Sequence, residues 1–125
     1  MKELTKAEEQ IMQILWDLNE GFVNDIIDKM PEPKPAYNTV STIIRILEKK
    51  GFVAHNAFGK THQYYPMVSK KVYTRSFMKN FMGNYFGHSF REMVSFFAKE
   101  DDMSVAEIEE LMQEVKKDIE NEKES

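Results

Sequence analysis

Apolar residues recur along this chain with two different periods. Over residues 5–18, "TKAEEQIMQILWDL" puts Ile11, Leu15 and Leu18 on one side with Met12 and Trp16 beside them, a wide helical stripe. Thr5 and Glu8 have the S/T-x-x-E form in which hydroxyl and carboxylate each satisfy an unpaired backbone N–H, so a helix starts there, and Gly21 is expected to end it. Ile26, Ile27 and Met30 predict a short second helix over 24–30, with Asn24 or Asp25 as its cap. Pro31, Pro33 and Pro35 then hold the chain extended and redirect it. Val40, Ile43, Ile44 and Leu47 follow i, i+3, i+4, i+7 and predict a third helix over 37–50, with Gly51 suited to the left-handed position after it.

In "GFVAHNAFGKTHQYYPMV" the period changes. Residues 52–55 and 61–65, rich in aromatic and β-branched side chains, read as two strands around a turn in "NAFGK", closed by Pro66. Tyr64 and Tyr65 alternate across the second strand, so one packs inward and the other is partly exposed. Three helices followed by a hairpin is the order of a winged helix-turn-helix, in which the third helix is the recognition helix and the hairpin, around 56–61, is the wing.

Beyond Pro66 the pattern is helical throughout. Ser69 caps a helix to about residue 82, Gly83 and Gly87 punctuate, and Ser89 opens another to about residue 99. Ser104 and Glu107 repeat the capping box before a helix with Ile108, Leu111, Met112, Val115 and Ile119 on one face. The final "ENEKES" is charged and expected to fray. These stripes are too few and too short for a core of their own and require a second chain. The fold class is therefore mainly α, a winged helix-turn-helix domain over 1–68 followed by an all-helical dimerisation region over 69–125.

Composition narrows the function. Among 125 residues there is no cysteine, which rules out disulfides, thiolate metal sites and a cysteine nucleophile and fits a reducing compartment. The charged N-terminus carries no apolar run long enough for a signal peptide or membrane span, so a cytoplasmic protein without membrane insertion is expected. The net charge of -4 argues against a nucleic-acid partner, but its distribution argues for one. Residues 36–71 hold Arg45, Lys49, Lys50, Lys60, Lys70 and Lys71 against Glu48 alone, a local +5 in an otherwise acidic chain.

The polar side of the third helix carries Asn38, Thr39, Ser41, Thr42 and Arg45, with Lys49 one turn further on. Asn pairs in bidentate fashion with adenine and Arg with guanine, while Ser and Thr reach bases or phosphates, which makes these the candidate DNA-binding residues. Lys60 joins them from the wing turn. His55 and His62 lie on the two hairpin arms, but two imidazoles without a third ligand make a poor zinc site. No paired acid and base, glycine-rich phosphate loop, nucleophile elbow or HExxH is present, so neither enzymatic activity nor a cofactor or metal is expected. The Met and Phe cluster "FMKNFMGNYFGHSFREMVSFF" reads first as dimer core, with Phe77, Phe81, Met93, Phe96, Phe97, Ile108, Leu111, Met112 and Val115 at the interface. An apolar ligand pocket is the second reading of that cluster.

In order of elements and in several motifs the chain resembles the BlaI/MecI/CopY family of bacterial transcriptional repressors. "LTKAEEQIMQILW" looks like that family's opening helix, "NDIIDKM" like its second, "NTVSTIIRILEKKGFV" like its recognition helix and following strand, and "GKTHQYYPMVS" like its wing and domain exit. "FFAKEDDMSVAEIEELMQ" looks like its C-terminal dimerisation element. The resemblance implies a homodimer whose winged helices bind the halves of a palindromic operator in double-stranded DNA, held together by intertwined C-terminal helices. Thr39 and Thr42 coincide with the threonines usual in the family's DNA-contacting helix. Asn38 and Ser41 stand where Lys or Arg is common, and Arg45 lies one position before the frequent arginine. Members acting in β-lactam resistance are inactivated when a membrane-bound sensor metalloprotease triggers cleavage near an Asn-Phe bond; the matching bond here looks like Ser95-Phe96. Copper-responsive members carry Cys-x-Cys pairs, which this chain lacks. The alternative to a DNA-reading repressor is a winged-helix module that binds another protein.

Overall fold

The structure, a computed structural model, describes residues 1–124. It consists of two compact units, Met1–Met78 and a second from Lys79 onward.

The first unit is built from α1 (Lys6–Leu18), α2 (Val23–Asp28), α3 (Tyr37–Lys49), β1 (Val53–Phe58), β2 (Thr61–Pro66) and the start of α4 (Lys70–Phe86). The apolar stripes predicted for α1 and α3 meet in one core: Ile11, Met12, Leu15, Ile26, Val40, Ile44 and Leu47 are fully enclosed, and Phe52, Val53, Tyr64 and Tyr73 complete it. Enclosing each such aliphatic side chain is worth about 1.5–3 kcal/mol before entropy is charged against it. Trp16 tethers the start of α4 to this core, its indole Nε1–H donating to the Val68 carbonyl at 2.9 Å and its ring lying 5.9 Å from that of Tyr73.

The capping box of α1 forms as its residues predict, Thr5 N–H donating to Glu8 Oε1 at 2.8 Å and Glu8 N–H to Thr5 Oγ1 at 3.2 Å. The helix runs to Leu18, as its stripe predicts, but the residue that ends it is Asn19, at φ 69°, and not Gly21. Gly21 instead pairs with Tyr64 as an antiparallel bridge, its N–H donating to the Tyr64 carbonyl at 2.9 Å and its carbonyl accepting the Tyr64 N–H at 2.8 Å, and so adds a stub to the open edge of β2.

α2 starts one residue before the expected range and ends at Asp28; Asp25 caps it from inside the first turn, accepting the Phe22 N–H at 2.9 Å. Lys34 closes the other end, its ammonium donating to the carbonyls of Ile27, Asp28 and Met30 at 3.2, 3.2 and 2.8 Å. That contact satisfies orphan carbonyls with a cation where the helix dipole favours one, and it fixes the proline-rich turn that leads into α3. Gly51 follows α3 at φ 84°, as expected.

The hairpin is longer than its composition suggested. Asn56, Ala57 and Phe58 belong to β1 and pair with Gln63, His62 and Thr61, which leaves only Gly59 and Lys60 in the turn. Cross-strand pairing carries these positions into the ladder. Tyr64 is the buried tyrosine and Tyr65 the half-exposed one.

α4 continues four residues past the expected end, through Gly83, before Gly87 at φ 56° stops it. Gly83 has a steric role here: a Cβ at that position would lie 2.6 Å from His88 Cε1. The second unit adds α5 (Phe90–Glu100), capped by Ser89, and α6 (Val105–Glu124), capped by Ser104. The last turn of α6 is helical where fraying was expected; Ser125 lies outside the described residues. Phe81, Phe86, Phe96 and Phe97 form an aromatic cluster with ring separations of 5.5–6.3 Å, yet none of the described side chains of α5 or α6 is buried.

Candidate nucleic-acid interface

α3 is divided lengthwise. Val40, Ile44 and Leu47 are inaccessible, while Asn38, Thr42, Arg45 and Lys49 project outward, exposed, with half-buried Ser41 between them. The spacing i, i+3, i+4, i+7, i+11 makes one continuous polar line of these five residues. Thr42 Oγ1 donates to the Asn38 carbonyl at 2.7 Å, so the hydroxyl's remaining capacity is as an acceptor. Arg45 reaches back weakly to Ser41, through Nε to its carbonyl and Nη2 to its Oγ, both at 3.4 Å, which leaves most of the guanidinium fork available for a planar partner. Thr39 is also exposed but lies on the flank beside the 31–35 loop. Lys60 is exposed at the wing turn, next to Gly59 at φ 64°.

Lys50 does not join this line. Its ammonium sits 2.8 and 2.9 Å from the two oxygens of Glu8, whose side chain is only 4 % exposed. Burial alone would push the Glu8 carboxyl up, but hydrogen bonds from Lys50 and from Thr5, with the Lys50 charge, outweigh it and hold the group below the usual carboxylate range. One of the cations counted in the basic segment is thus spent on a structural pair between α1 and the end of α3.

Four further residues sit beside this polar line that periodicity did not single out. Glu48 accepts from His55 Nδ1 at 2.5 Å, and the His55 and His62 rings stack 4.0 Å apart with 7° between their planes. Tyr37, at the first position of α3, is exposed and borders a cleft with Thr61 and His62. Beneath them burial raises the Tyr64 hydroxyl's pKa, with Glu48 adding to the rise and Arg45 opposing it. The signal available in the sequence was the pair of histidines on opposite hairpin arms. Among the described residues no group of three or more His, Cys, Asp or Glu could hold a metal ion, and no helix is long and apolar enough to cross a membrane.

Of the residues proposed for a dimer interface, Phe77 belongs to the first unit, where it packs on the core beside Tyr73. Phe81, Met93, Phe96, Phe97, Ile108, Leu111, Met112 and Val115 lie in the second, with Phe96, Phe97, Leu111 and Met112 each nearly half exposed. α5 and α6 border a groove of about 810 Å³ whose apolar walls include Phe90, Val94, Ala98, Ile108 and Met112. Ser95 and Phe96 fall in the middle of α5.

A helix with one face locked in a core and the other presenting amide, hydroxyl and guanidinium groups, next to a two-stranded wing, defines a winged-helix protein of the DNA-binding type. Residues 4–117 match the sequence model of the penicillinase repressor family, and the chain belongs to that family, the BlaI/MecI/CopY type. The methicillin resistance regulatory protein MecI of Staphylococcus aureus (strain N315) is 32 % identical over 110 residues, covering 87 % of this chain and 89 % of MecI. The penicillinase repressor of Bacillus licheniformis is 24 % identical over 112 residues, covering 89 % of this chain and 88 % of that one. The solved structure of a complex of hsRosR-S4 overlays with a TM-score of 0.53 at 16 % identity, covering 81 % of this chain and 91 % of that one, a likeness of fold alone.

Proposed function

We propose that this protein is a homodimeric transcriptional repressor that binds a palindromic operator through α3 and the wing. The observation that carries the reading is the polar line Asn38, Ser41, Thr42, Arg45 and Lys49 on a helix whose opposite face is inaccessible. α3 enters the major groove, where Asn38 and Arg45 have the chemistry for adenine and guanine, and Lys49 and Lys60 meet phosphates. The exposed apolar faces of α5 and α6 support dimerisation, because a second copy would remove Phe96, Phe97, Leu111 and Met112 from water. With two winged helices joined, the second half-site is met at high effective concentration once the first is held, so each contact set can be modest. Bound in this way across a promoter, the dimer excludes the transcription machinery.

Release is by cleavage at Ser95-Phe96 under the control of a membrane-bound sensor metalloprotease. A protease needs an extended substrate, and in a chain transiently released from the dimer α5 offers one at low cost: it has 11 residues and no buried side chain of its own, and isolated helices of that length are marginal in water. Cutting there separates α6 from the rest of the chain and weakens the dimer.

The test is a fluorescence-anisotropy titration of the full chain against its own upstream DNA and a scrambled duplex at two salt concentrations. Tight, salt-sensitive binding to the upstream duplex alone is expected. Equal affinity for both duplexes at both salts removes the reading and favours a protein-binding module.

A further inference from the structure

A phosphodiester strand forms the wall between neighbouring major and minor grooves. A protein that lays a helix in one and a hairpin in the other must straddle that strand, and whatever lies between helix and hairpin faces its phosphates. In this chain the gap is a cleft of about 310 Å³ bordered by Tyr37 on α3, Thr61 and His62 on β2, and Asn24 and Asp25 on α2. Tyrosine, threonine, asparagine and histidine are all phosphate-contacting types. His62 is the one that can carry a positive charge.

The placement of His62 follows from the register. Val53, His55 and Ala57 share one face of the hairpin with their partners Pro66, Tyr64 and His62. Val53 and Tyr64 anchor that face in the core, His55 follows half-buried, and His62 overhangs, exposed, one pair before the turn-closing Phe58 and Thr61. The His62 ring lies parallel to that of His55, and His55 is held by Glu48 of α3. Two imidazoles stacked 4.0 Å apart repel if both are protonated unless each has an anion of its own. Glu48 supplies one for His55. A DNA phosphate in the cleft would supply the other.

We infer that His62 is a phosphate-binding residue of the protein, positioned by the His55 ring, and that through it operator affinity rises as pH falls. This rests on the DNA-binding reading above. The other charged and titratable groups around the histidines are Glu48, Arg45 and Tyr37 from α3, Tyr64 from β2, Lys60 at the turn and Asp25 from α2, whose carboxylate already accepts the Phe22 N–H. Asp25 is the one competitor for His62 within the cleft. A pairing with it would stabilise the free protein and not the complex.

The experiment is the same anisotropy titration with the full chain, upstream and scrambled duplexes, over a salt series at about pH 5.8 and about pH 7.8, either side of the ordinary histidine range. The wild-type chain should bind upstream DNA about tenfold more tightly at the lower pH, the size of one charge-assisted hydrogen bond. Its log-affinity against log-salt slope should steepen by about one, the signature of one added phosphate contact. His62→Gln should lose both effects, and His62→Lys should keep the steep slope at both pH values. Trp16 fluorescence during unfolding shows that both variants remain folded. A His62→Gln chain with the wild-type pH response overturns the assignment while leaving the repressor reading intact, as does a variant that changes only the unfolding midpoint. Failure of the wild-type chain to prefer upstream DNA at either pH overturns both.

Discussion

The pair between Glu8 and Lys50 offers a quantitative test, because its two ends differ in access to water. The Glu8 side chain is 4 % exposed and that of Lys50 27 %. In Glu8→Gln, an isostere of the protonated acid, the charge pair is lost and the Thr5 N–H keeps an oxygen acceptor, while the Lys50 ammonium turns to solvent. A hydrogen bond to a charged group contributes about 1.5–3 kcal/mol, and partial rehydration of Lys50 puts the cost near the middle, about 2 kcal/mol. Lys50→Met strands the carboxylate in its enclosed site with only the Thr5 donors, and should cost more, about 3 kcal/mol, as breaking a buried pair does. Trp16 is the sole tryptophan and lies in the first unit, so its fluorescence reports unfolding of the winged helix. At neutral pH and fixed protein concentration the urea midpoint of Glu8→Gln should fall by about 1 M. The pH dependence has a definite sign. The folded-state pKa of Glu8 is lowered, so its stabilisation is present above the ordinary carboxylate pKa of about 4.3 and is lost as pH falls through the lower folded value. The midpoints of wild type and Glu8→Gln should therefore converge in acid. A gap of equal size at neutral and acid pH would refute the ionic account, and a Lys50→Met variant more stable than Glu8→Gln would refute the argument from exposure.

Arg45→Ala should weaken operator binding by about 1–3 kcal/mol and relax preference at one base pair, with an unchanged urea midpoint; loss of folding instead would show that the residue is structural. Lys34→Met should lower stability by about 1–2 kcal/mol, read as a lower urea midpoint, because the carbonyls of Asp28 and Met30 lose their ammonium partner; a midpoint equal to wild type would show that water replaces the ammonium at no cost. Leu111→Asp on the exposed stripe of α6 should shift the chain toward monomer in sedimentation velocity while leaving Trp16 fluorescence native; an unchanged sedimentation coefficient would place the dimer contact elsewhere.

What could be read from the sequence was whatever a single helix or a single cap encodes. The α1 capping box, the buried stripe of α3 and the polar line opposite it depend on spacings of three or four residues, and the structure places them as that spacing requires. The misreadings of Gly21 and Lys50 involve partners far along the chain. Gly21 looked like a helix terminator because glycine commonly is one, but its backbone is claimed by Tyr64 across the sheet edge. Lys50 was counted among the cations of a basic segment, but Glu8, 42 residues away, neutralises it. The wing's strands reach almost to the turn because pairing with β2, not propensity, decides where β1 ends.

The same division separates the two parts of the proposed recognition surface. In that proposal direct base readout is the work of one face of one helix, so its candidate residues can be named from periodicity alone. Contact with the straddled phosphate strand requires α3, β2 and α2 to converge, and no local pattern says that Tyr37 and His62 border the same cleft or that Glu48 holds the imidazole on which His62 stacks. It follows that two relatives with the same residues on α3 can differ in salt and pH response through the hairpin alone. Exchanging the pair at 55 and 62 should therefore change how tightly the operator is held without changing which operator is chosen.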